Sequence, residues 1–407
     1  MAKINKNYKK LQAGYLFSEI ARRTRVFVEQ NPGVEVMRLG IGNTTEALPS
    51  TVVTGLQSGV AKLADVATYT GYGDEQGDSR LRQALVDWYG QQRISLDAQE
   101  VFISDGAKTD TANISSIFDS NSVIAVQDPV YPVYVDSNVI AGKAGEFQGG
   151  RYKKIVYMAC TPENNFFPEL PKQHADLIYL CSPNNPTGSV ATRSQLKVFV
   201  EYARQNNAVL IFDAAYSAFI KDPKLPRSIY EVPGAKECAI EISSFSKWAG
   251  FTGVRLGWSI VPKELVAEGV TKGEINAAWS RRQVTMFNGA SNIAQVGGLS
   301  VLSKKGQRES QKIVAYYMEN ARLIREGLQR IGLTVYGGEN APYIWLKVPT
   351  SMTSWEFFDV LLEKAHVVGT PGSGFGLLGE GYIRLSAFGH RENVRKAIRS
   401  IERNIKI

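Results

Sequence analysis

The chain of 407 residues is 44% hydrophobic and 21% charged, long enough for two domains and too ordinary in balance for a disordered or collagen-like chain. Its 47 basic against 39 acidic residues leave a net charge of +8, with neither an aromatic-studded basic stripe nor a nucleic-acid module, so a solvated surface with a mild pull on anionic ligands is expected, and no nucleic-acid partner. No run reaches the roughly 18 apolar residues of a membrane-spanning helix, so no membrane partner is expected either.

The basic first thirty residues lack the apolar core and cleavage site of a secretory signal. No export is expected, and the cytoplasm is the expected location. From about residue 100, seven apolar runs have strand length: VFISDG, SVIAVQDP, KKIVYMA, DLIYLCSPN, AVLIFDAAY, CAIEISSFS and VRLGWSIV. Helical patterns such as SQLKVFVEYARQNN intervene. Strands alternating with helices predict an α/β fold, a mostly parallel seven-stranded sheet between helices. Beyond about residue 290 the amphipathic QKIVAYYMENARLIREGLQRIG precedes APYIWLKV, GYIRLSAFG and a closing helix, the pattern of a smaller α+β domain. The expected division is 1–45 as N-terminal arm and part of the small domain, 46–290 as the large domain and 291–407 as the C-terminal small domain. Cys160, Cys181 and Cys238 fall in apolar runs without metal spacing and read as reduced core residues.

Open sheets of this kind bind ligands beyond the carboxyl ends of their strands. Asp105, Asp128, Asn185, Asp213 and Lys247 all fall at or just after such ends, and are expected to share one crevice. Lys247 sits in SSFSKWAGFTGVRLGW with Arg255 eight residues on. A buried lysine near a second cation has a lowered pKa, and its neutral amine can attack a carbonyl; a solvated loop lysine is the alternative. Asp213 closes an apolar run, where an unpaired carboxylate is costly and wants a cation. A protonated pyridine nitrogen would serve, although a helix cap is equally consistent with the position. Tyr216 could reach the same ring.

Asn185, on the turn SPNNPTG, could donate to a phenolate oxygen, and the Asn185–Pro186 bond is expected to be cis. A phosphate needs amides at a helix start, hydroxyls and a guanidinium. SDGAKTD offers the amides of Ala107 and Lys108, Ser244 and Ser246 offer hydroxyls, and Arg255 a fork. Tyr131, between two prolines, could stack on a flat ligand or line the core. Arg384 in GYIRLSAFG is a guanidinium in an apolar strand, a misfit that a buried carboxylate ligand would resolve. GFGLLG, residues 374–379, matches the dinucleotide fingerprint but precedes a strand-like run instead of opening a helix, and reads as a loop. The three histidines lack metal spacing and no nucleophile-elbow serine occurs, so no metal is expected and hydrolase readings lack support.

In this order and spacing, SPNNPTG, FDAAY, SSFSKWAGFTGVRLGW and YIRLSAFG resemble the class I/II aminotransferases of the fold-type I pyridoxal-phosphate enzymes over nearly the whole chain. The resemblance implies a pyridoxal 5'-phosphate cofactor joined to Lys247, which then shuttles the proton of the transamination. It implies that Asp213 pairs with the pyridinium, Asn185 and Tyr216 bond the ring oxygen, and Tyr131 stacks on the ring. Ala107, Lys108, Ser244, Ser246 and Arg255 would hold the phosphate, joined by Tyr72 from a second subunit of a homodimer, and Arg384 the substrate's α-carboxylate. LGIGNTTEALP, TGYGDEQGDSRLR, SDGAKTD, DPVYPVYVDSN and PGSGFGLLGEGYIRLSAFG are similar to the branch of this family that makes LL-2,6-diaminopimelate from tetrahydrodipicolinate for lysine biosynthesis, with glutamate as amino donor. Asn43 and Ala47 stand where that branch has aspartate and proline.

One distal pocket must accept both glutamate's carboxylate and the ammonium of diaminopimelate. By the same resemblance Glu75 meets the ammonium, and Tyr15, Gly42, Lys108 and Asn288 complete the wall beside Tyr131 and Asn185, with Asn288 also counted toward the cofactor. The alternative for Glu75 is an exposed loop acid. Rival functions are a broad aromatic, alanine or aspartate aminotransferase, and a transcriptional regulator that keeps an aminotransferase-like domain. Only about 40 residues precede LGIGN, too few for a regulator's helix-turn-helix module and linker.

Overall fold

A computed structural model describes residues 1–12, 16–40, 42–349 and 351–405. Tyr15 therefore lies outside the described residues. All seven predicted strands form: β1 (Val101–Ser104), β2 (Ile124–Asp128), β3 (Ile155–Ala159), β4 (Leu177–Cys181), β5 (Val209–Asp213), β6 (Ala239–Ser244) and β7 (Gly257–Ile260). They make one sheet in the order β1-β7-β6-β5-β4-β2-β3, with β7 antiparallel to both neighbours and the other pairings parallel. β1, β2, β4, β5, β6 and β7 are buried along their whole length. Helices on both faces leave such strands no wet side, so their sequences are unbroken apolar runs instead of alternating ones.

The helices before and among these strands are α1 (Leu16–Gln30), α2 (Ser50–Ala61), α3 (Ser79–Gly90), α4 (Ala107–Asn113), α5 (Val133–Ile140) and α6 (Arg193–Gln205). α6 follows its predicted pattern closely. Thr192 caps it, its side chain accepting from the Gln195 amide while Gln195 reaches back, and this reciprocal box fixes the start.

Beyond the sheet come α7 (Glu274–Met286), α8 (Asn292–Leu302), α9 (Lys304–Arg330), α10 (Ser354–Ala365) and α11 (Arg391–Asn404). A second, four-stranded antiparallel sheet runs β8 (Val335–Gly337), β9 (Tyr343–Lys347), β11 (Tyr382–Ser386) and β10 (Thr370–Pro371) in that order. Met37–Arg38 pairs in parallel with Val367–Val368, tying the N-terminal segment to this C-terminal unit, while α8 packs on α2. GFGLLG forms two short 3-10 turns, Gly372–Phe375 and Leu377–Gly379, and opens no helix.

Register sets the site. Cys181 on β4 lies opposite Asp213 on β5, which lies opposite Ile242 on β6, so β4 and β5 end level, β6 runs two residues further, and all three release their connecting turns on one side. The expectation that all five strand-end residues share one crevice is corrected here. Asn185, Asp213 and Lys247 line it, whereas Asp105 and Asp128 do not. The Asp105 charge acts on Asp110 instead, and Asp128 is taken by Arg151.

Candidate active site

Beyond these strand ends lies a cavity of about 370 Å³. Twelve residues singled out from sequence line it: Gly42, Ala107, Lys108, Tyr131, Asn185, Asp213, Tyr216, Ser244, Ser246, Lys247, Arg255 and Arg384.

Lys247 leaves β6 in the turn toward β7, and its Nζ donates to the Gly42 carbonyl. Burial, then the positive charges of Arg384 and Arg255, bring its ammonium down from 10.5 to about 8, with Asp213 pulling the other way. The turn is anchored by the next residue. Trp248 is buried, donates its indole N–H to the Ser244 carbonyl at 3.2 Å, and stacks with Phe245 and Trp88 at 5.6 and 5.9 Å between ring centroids. Trp88 in turn meets Trp258 edge-on at 6.3 Å.

Asp213 ends β5 and is 7% exposed. Its Oδ2 accepts from the Tyr134 hydroxyl at 2.5 Å and its Oδ1 from the Ala215 amide at 2.9 Å. Burial pushes its carboxyl up against these two donors, and among the described residues it has no ion pair. A cation presented from the cavity would relieve that burial cost. The Tyr216 hydroxyl lies 2.8 Å from that of Tyr343.

Three segments meet where an anion would sit. Arg255 adopts φ 68°, left-handed backbone that costs a side-chain-bearing residue about 1 kcal/mol and is tolerated where the surroundings fix it. Its Nη1 donates to Ser246 Oγ at 3.4 Å and to the Thr252 carbonyl at 3.3 Å. The Ser246 amide donates to Ser244 Oγ at 3.3 Å. Gly106 precedes α4, and a Cβ there would stand 2.3 Å from Arg255 Nη2, so only glycine lets the guanidinium lie against the turn. The helix start, two serines and the arginine thus converge, as expected from sequence.

Arg384 reaches the cavity from β11 in the second sheet. It is 2% exposed, donates from Nη1 to Asn185 Oδ1 at 2.7 Å and from Nη2 to the Gly40 carbonyl at 2.8 Å. Its guanidinium packs against the rings of Tyr343 and Phe375 at 4.7 and 4.9 Å. Its Nε is buried without a hydrogen-bond partner among the described residues, an unspent donor suited to a carboxylate. Asn185 has its Oδ1 committed to Arg384, which leaves its Nδ2 as a donor, and the Asn185–Pro186 peptide is cis as expected.

Among the described residues, Tyr72, Glu75 and Asn288 were expected at the site and do not line this cavity. Tyr72 is 86% exposed and Asn288 exposed; Glu75 is half-buried. They nevertheless lie near one another: Asn292 donates to Thr70 and the Gly71 carbonyl, and a Cβ on Gly289 would stand 3.0 Å from the Asp74 carbonyl oxygen. Sequence reasoning missed Tyr134 and Tyr343. Tyr134 carried a weak signal, lying in the first turn of α5 three residues after Tyr131, whose ring it meets edge-on at 5.7 Å. Tyr343 carried none: the β9–β11 pairing sets it two residues from the partner of Arg384, and the packing of that sheet on the turn after β5 brings it to Tyr216.

The family model for aminotransferase class I and II matches residues 34–401. Among solved structures, an L,L-diaminopimelate aminotransferase from Chlamydomonas reinhardtii is 48% identical, with 98% of each chain covered and a TM-score of 0.93. An aromatic aminotransferase from Pyrococcus horikoshii is 25% identical over 93% of this chain and 98% of that one, with a TM-score of 0.79. An aspartate aminotransferase from Thermotoga maritima, 23% identical over 98% and 99% with a TM-score of 0.83, shares the fold.

Proposed function

We propose that this chain, which belongs to the class I and II aminotransferases, interconverts tetrahydrodipicolinate plus glutamate with LL-2,6-diaminopimelate plus 2-oxoglutarate. The transaminase chemistry is carried by one observation: an amine lowered to about 8 shares a single cavity with a buried aspartate that has no ion pair among the described residues and a buried, partly unspent arginine. The choice of substrate is supported by 48% identity over 98% of each chain to an L,L-diaminopimelate aminotransferase, against 25% for the aromatic enzyme.

The cofactor of this enzyme class is pyridoxal 5'-phosphate, and the residues fit it. Asp213 is buried with no ion pair among the described residues, Ala107, Lys108, Ser244, Ser246 and Arg255 bring amides, hydroxyls and a guanidinium to the same cavity, as a phosphate requires, and Arg384 Nε has no acceptor among the described residues. When bound, the cofactor supplies an electron sink for the bond broken at the amino acid's α-carbon. Asp213 would hold the ring nitrogen protonated, Asn185 Nδ2 and Tyr216 would donate to the ring oxygen, and Tyr131 would cover a face. Arg384 binds the α-carboxylate and Lys247 moves the α-proton. With its pKa near 8, about a tenth of the lysine is neutral at pH 7, against well under a thousandth for an ordinary lysine.

A homodimer is part of the proposal. Val60, Leu63, Val66, Tyr69 and Tyr72 are all exposed in one stretch, as are Val284 and Met286 on α7, and apolar side chains so concentrated are better explained by a second copy than by water. Tyr72, Glu75, Asn288 and Tyr15 would then serve the partner's cavity, Tyr72 at the phosphate and Glu75 at the distal ammonium. We further propose a large domain of 46–290, a small domain of 291–407 with 1–45, supported by the Met37–Arg38 pairing with Val367–Val368, and a cytoplasmic location. No helix of the described residues is long and apolar enough to cross a membrane.

The test is amino-donor turnover. LL-diaminopimelate and glutamate should be used briskly, aspartate and phenylalanine at least about tenfold less efficiently. Brisk use of the latter pair without the former would overturn the substrate assignment. Lys247→Ala should still bind the cofactor through its phosphate while losing about a thousandfold or more in turnover, and borohydride should fix the cofactor to Lys247 in the wild type alone.

A further inference from the structure

We propose that Asp128 and Phe375 are positioning residues for Arg384: Asp128 fastens the glycine-rich segment 371–379 to the end of the large sheet, and the segment holds Phe375 against the guanidinium. The proposal rests on the assignment of Arg384 to the substrate's carboxylate. It gives a role to a glycine motif that opens no helix and to a strand-end aspartate that stands outside the cavity.

Asp128 is fully buried at the end of β2. Its Oδ2 accepts from Arg151 Nη2 at 2.5 Å and its Oδ1 from the Leu378 amide at 3.2 Å, while the Val130 amide donates to the Phe375 carbonyl at 2.8 Å. The glycine spacing serves these contacts. Gly376 has φ 130°, and a Cβ on it would stand 2.3 Å from Asp128 Oδ1; a Cβ on Gly379 would stand 2.0 Å from the Gly372 carbonyl oxygen. The segment is therefore folded tightly on itself and pinned to the end of the large sheet through Leu378 and Phe375.

Phe375 lies inside that pinned loop, 1% exposed, packed with Leu16, Cys160 and Trp345. Its ring is 4.9 Å from the Arg384 guanidinium. Arg384 is thus fixed from its own sheet by Tyr343 and from the large sheet by Asn185 and the clamped Phe375. An arginine already held in place loses little freedom when a carboxylate binds, and that saving appears as affinity.

The experiment compares Phe375→Leu, Asp128→Asn and Arg151→Gln with Arg384→Lys, each loaded with cofactor. The readouts are KM and kcat for glutamate, the Kd of glutarate as a non-reacting dicarboxylate, cofactor affinity by absorbance, and melting temperature. Phe375→Leu and Asp128→Asn should raise KM and Kd by about fivefold to tenfold, with kcat changed less than about threefold and cofactor affinity unchanged. Asp128 is buried and its replacement risks misfolding, so Arg151→Gln, whose side chain is 40% exposed, loosens the same clamp more gently and should give about a twofold to threefold rise.

Wild-type KM and Kd in Phe375→Leu and Arg151→Gln, with only a lower melting temperature, would mark the segment as mere packing and overturn the proposal. If Arg384→Lys also bound glutarate as the wild type does, the carboxylate role of Arg384 would fall with it. If Arg384→Lys alone lost affinity, that role would stand and the clamp would not.

Discussion

At Lys247 the same burial that creates a reactive amine also works against folding. Its pKa is lowered from 10.5 to about 8 in the folded chain. The folded state therefore binds fewer protons than the unfolded one between those values, and stability rises with pH across that window, the penalty being complete below about pH 8. Lys247→Met removes the ionisable group while keeping a linear side chain. In cofactor-free protein at pH 7 it should be more stable than the wild type by up to about 3 kcal/mol, a gap that closes between pH 8 and 10.5. Denaturant midpoints at matched m-values measure this. A Met variant no more stable than wild type at pH 7 would mean that the ammonium is better solvated than its surroundings imply.

Strand β6 carries a second buried charge, four residues short of Phe245. Glu241 is fully buried and accepts from the Tyr89 and Ser228 hydroxyls, each at 2.6 Å, and from the Ile229 amide at 3.0 Å. It thereby ties β6 to α3 and to the turn before the strand. Burial raises its carboxyl from 4.5 to about 7 against those three donors. With a raised folded value, the contribution of this group is complete below about pH 4.5 and is lost as pH rises through 7. Glu241→Gln mimics the protonated form and does not titrate. Its stability deficit relative to wild type should shrink by about 2–3 kcal/mol between pH 5 and pH 8, and a deficit independent of pH would show that Glu241 is ionised throughout.

Across the whole molecule, the proposed dimer makes a prediction that the single chain would not. Lys247→Ala and Glu75→Gln subunits, mixed and allowed to exchange, should regain about a quarter of wild-type diaminopimelate turnover, since half the mixed dimers' sites draw Lys247 and Glu75 from intact chains. No recovery would place Glu75 outside a shared site. Glu75→Gln by itself should cost about 2 kcal/mol more with diaminopimelate than with glutamate, from a buried ammonium left unpaired.

How far the sequence could be read follows from the same physics. The seven strands were legible because a sheet covered on both faces demands unbroken apolar runs, but the reversed direction of β7 was not, since GWSI reads alike either way. Only the absence of a crossover helix between Ser244 and Gly257 hinted at it. Lys247, Asp213 and Arg384 announced themselves as charges in apolar company. Asp128 sent the same signal, yet its partner Arg151 is 23 residues away, and nothing local distinguishes a carboxylate paired across such a distance from one awaiting a ligand. Tyr134 and Tyr343 pass for core aromatics because only their hydroxyl partners, Asp213 and Tyr216, far away in sequence, set them apart.

The indole of Trp248, one residue from the amine and in a chain with Trp88 and Trp258, makes loading optically visible. Excitation absorbed anywhere in that cluster can migrate toward the cavity, where a chromophore fixed on the neighbouring side chain would drain it. Titrating cofactor-free protein with the vitamin phosphate should dim intrinsic fluorescence in step with saturation; constant emission at full loading would place the chromophore away from Trp248.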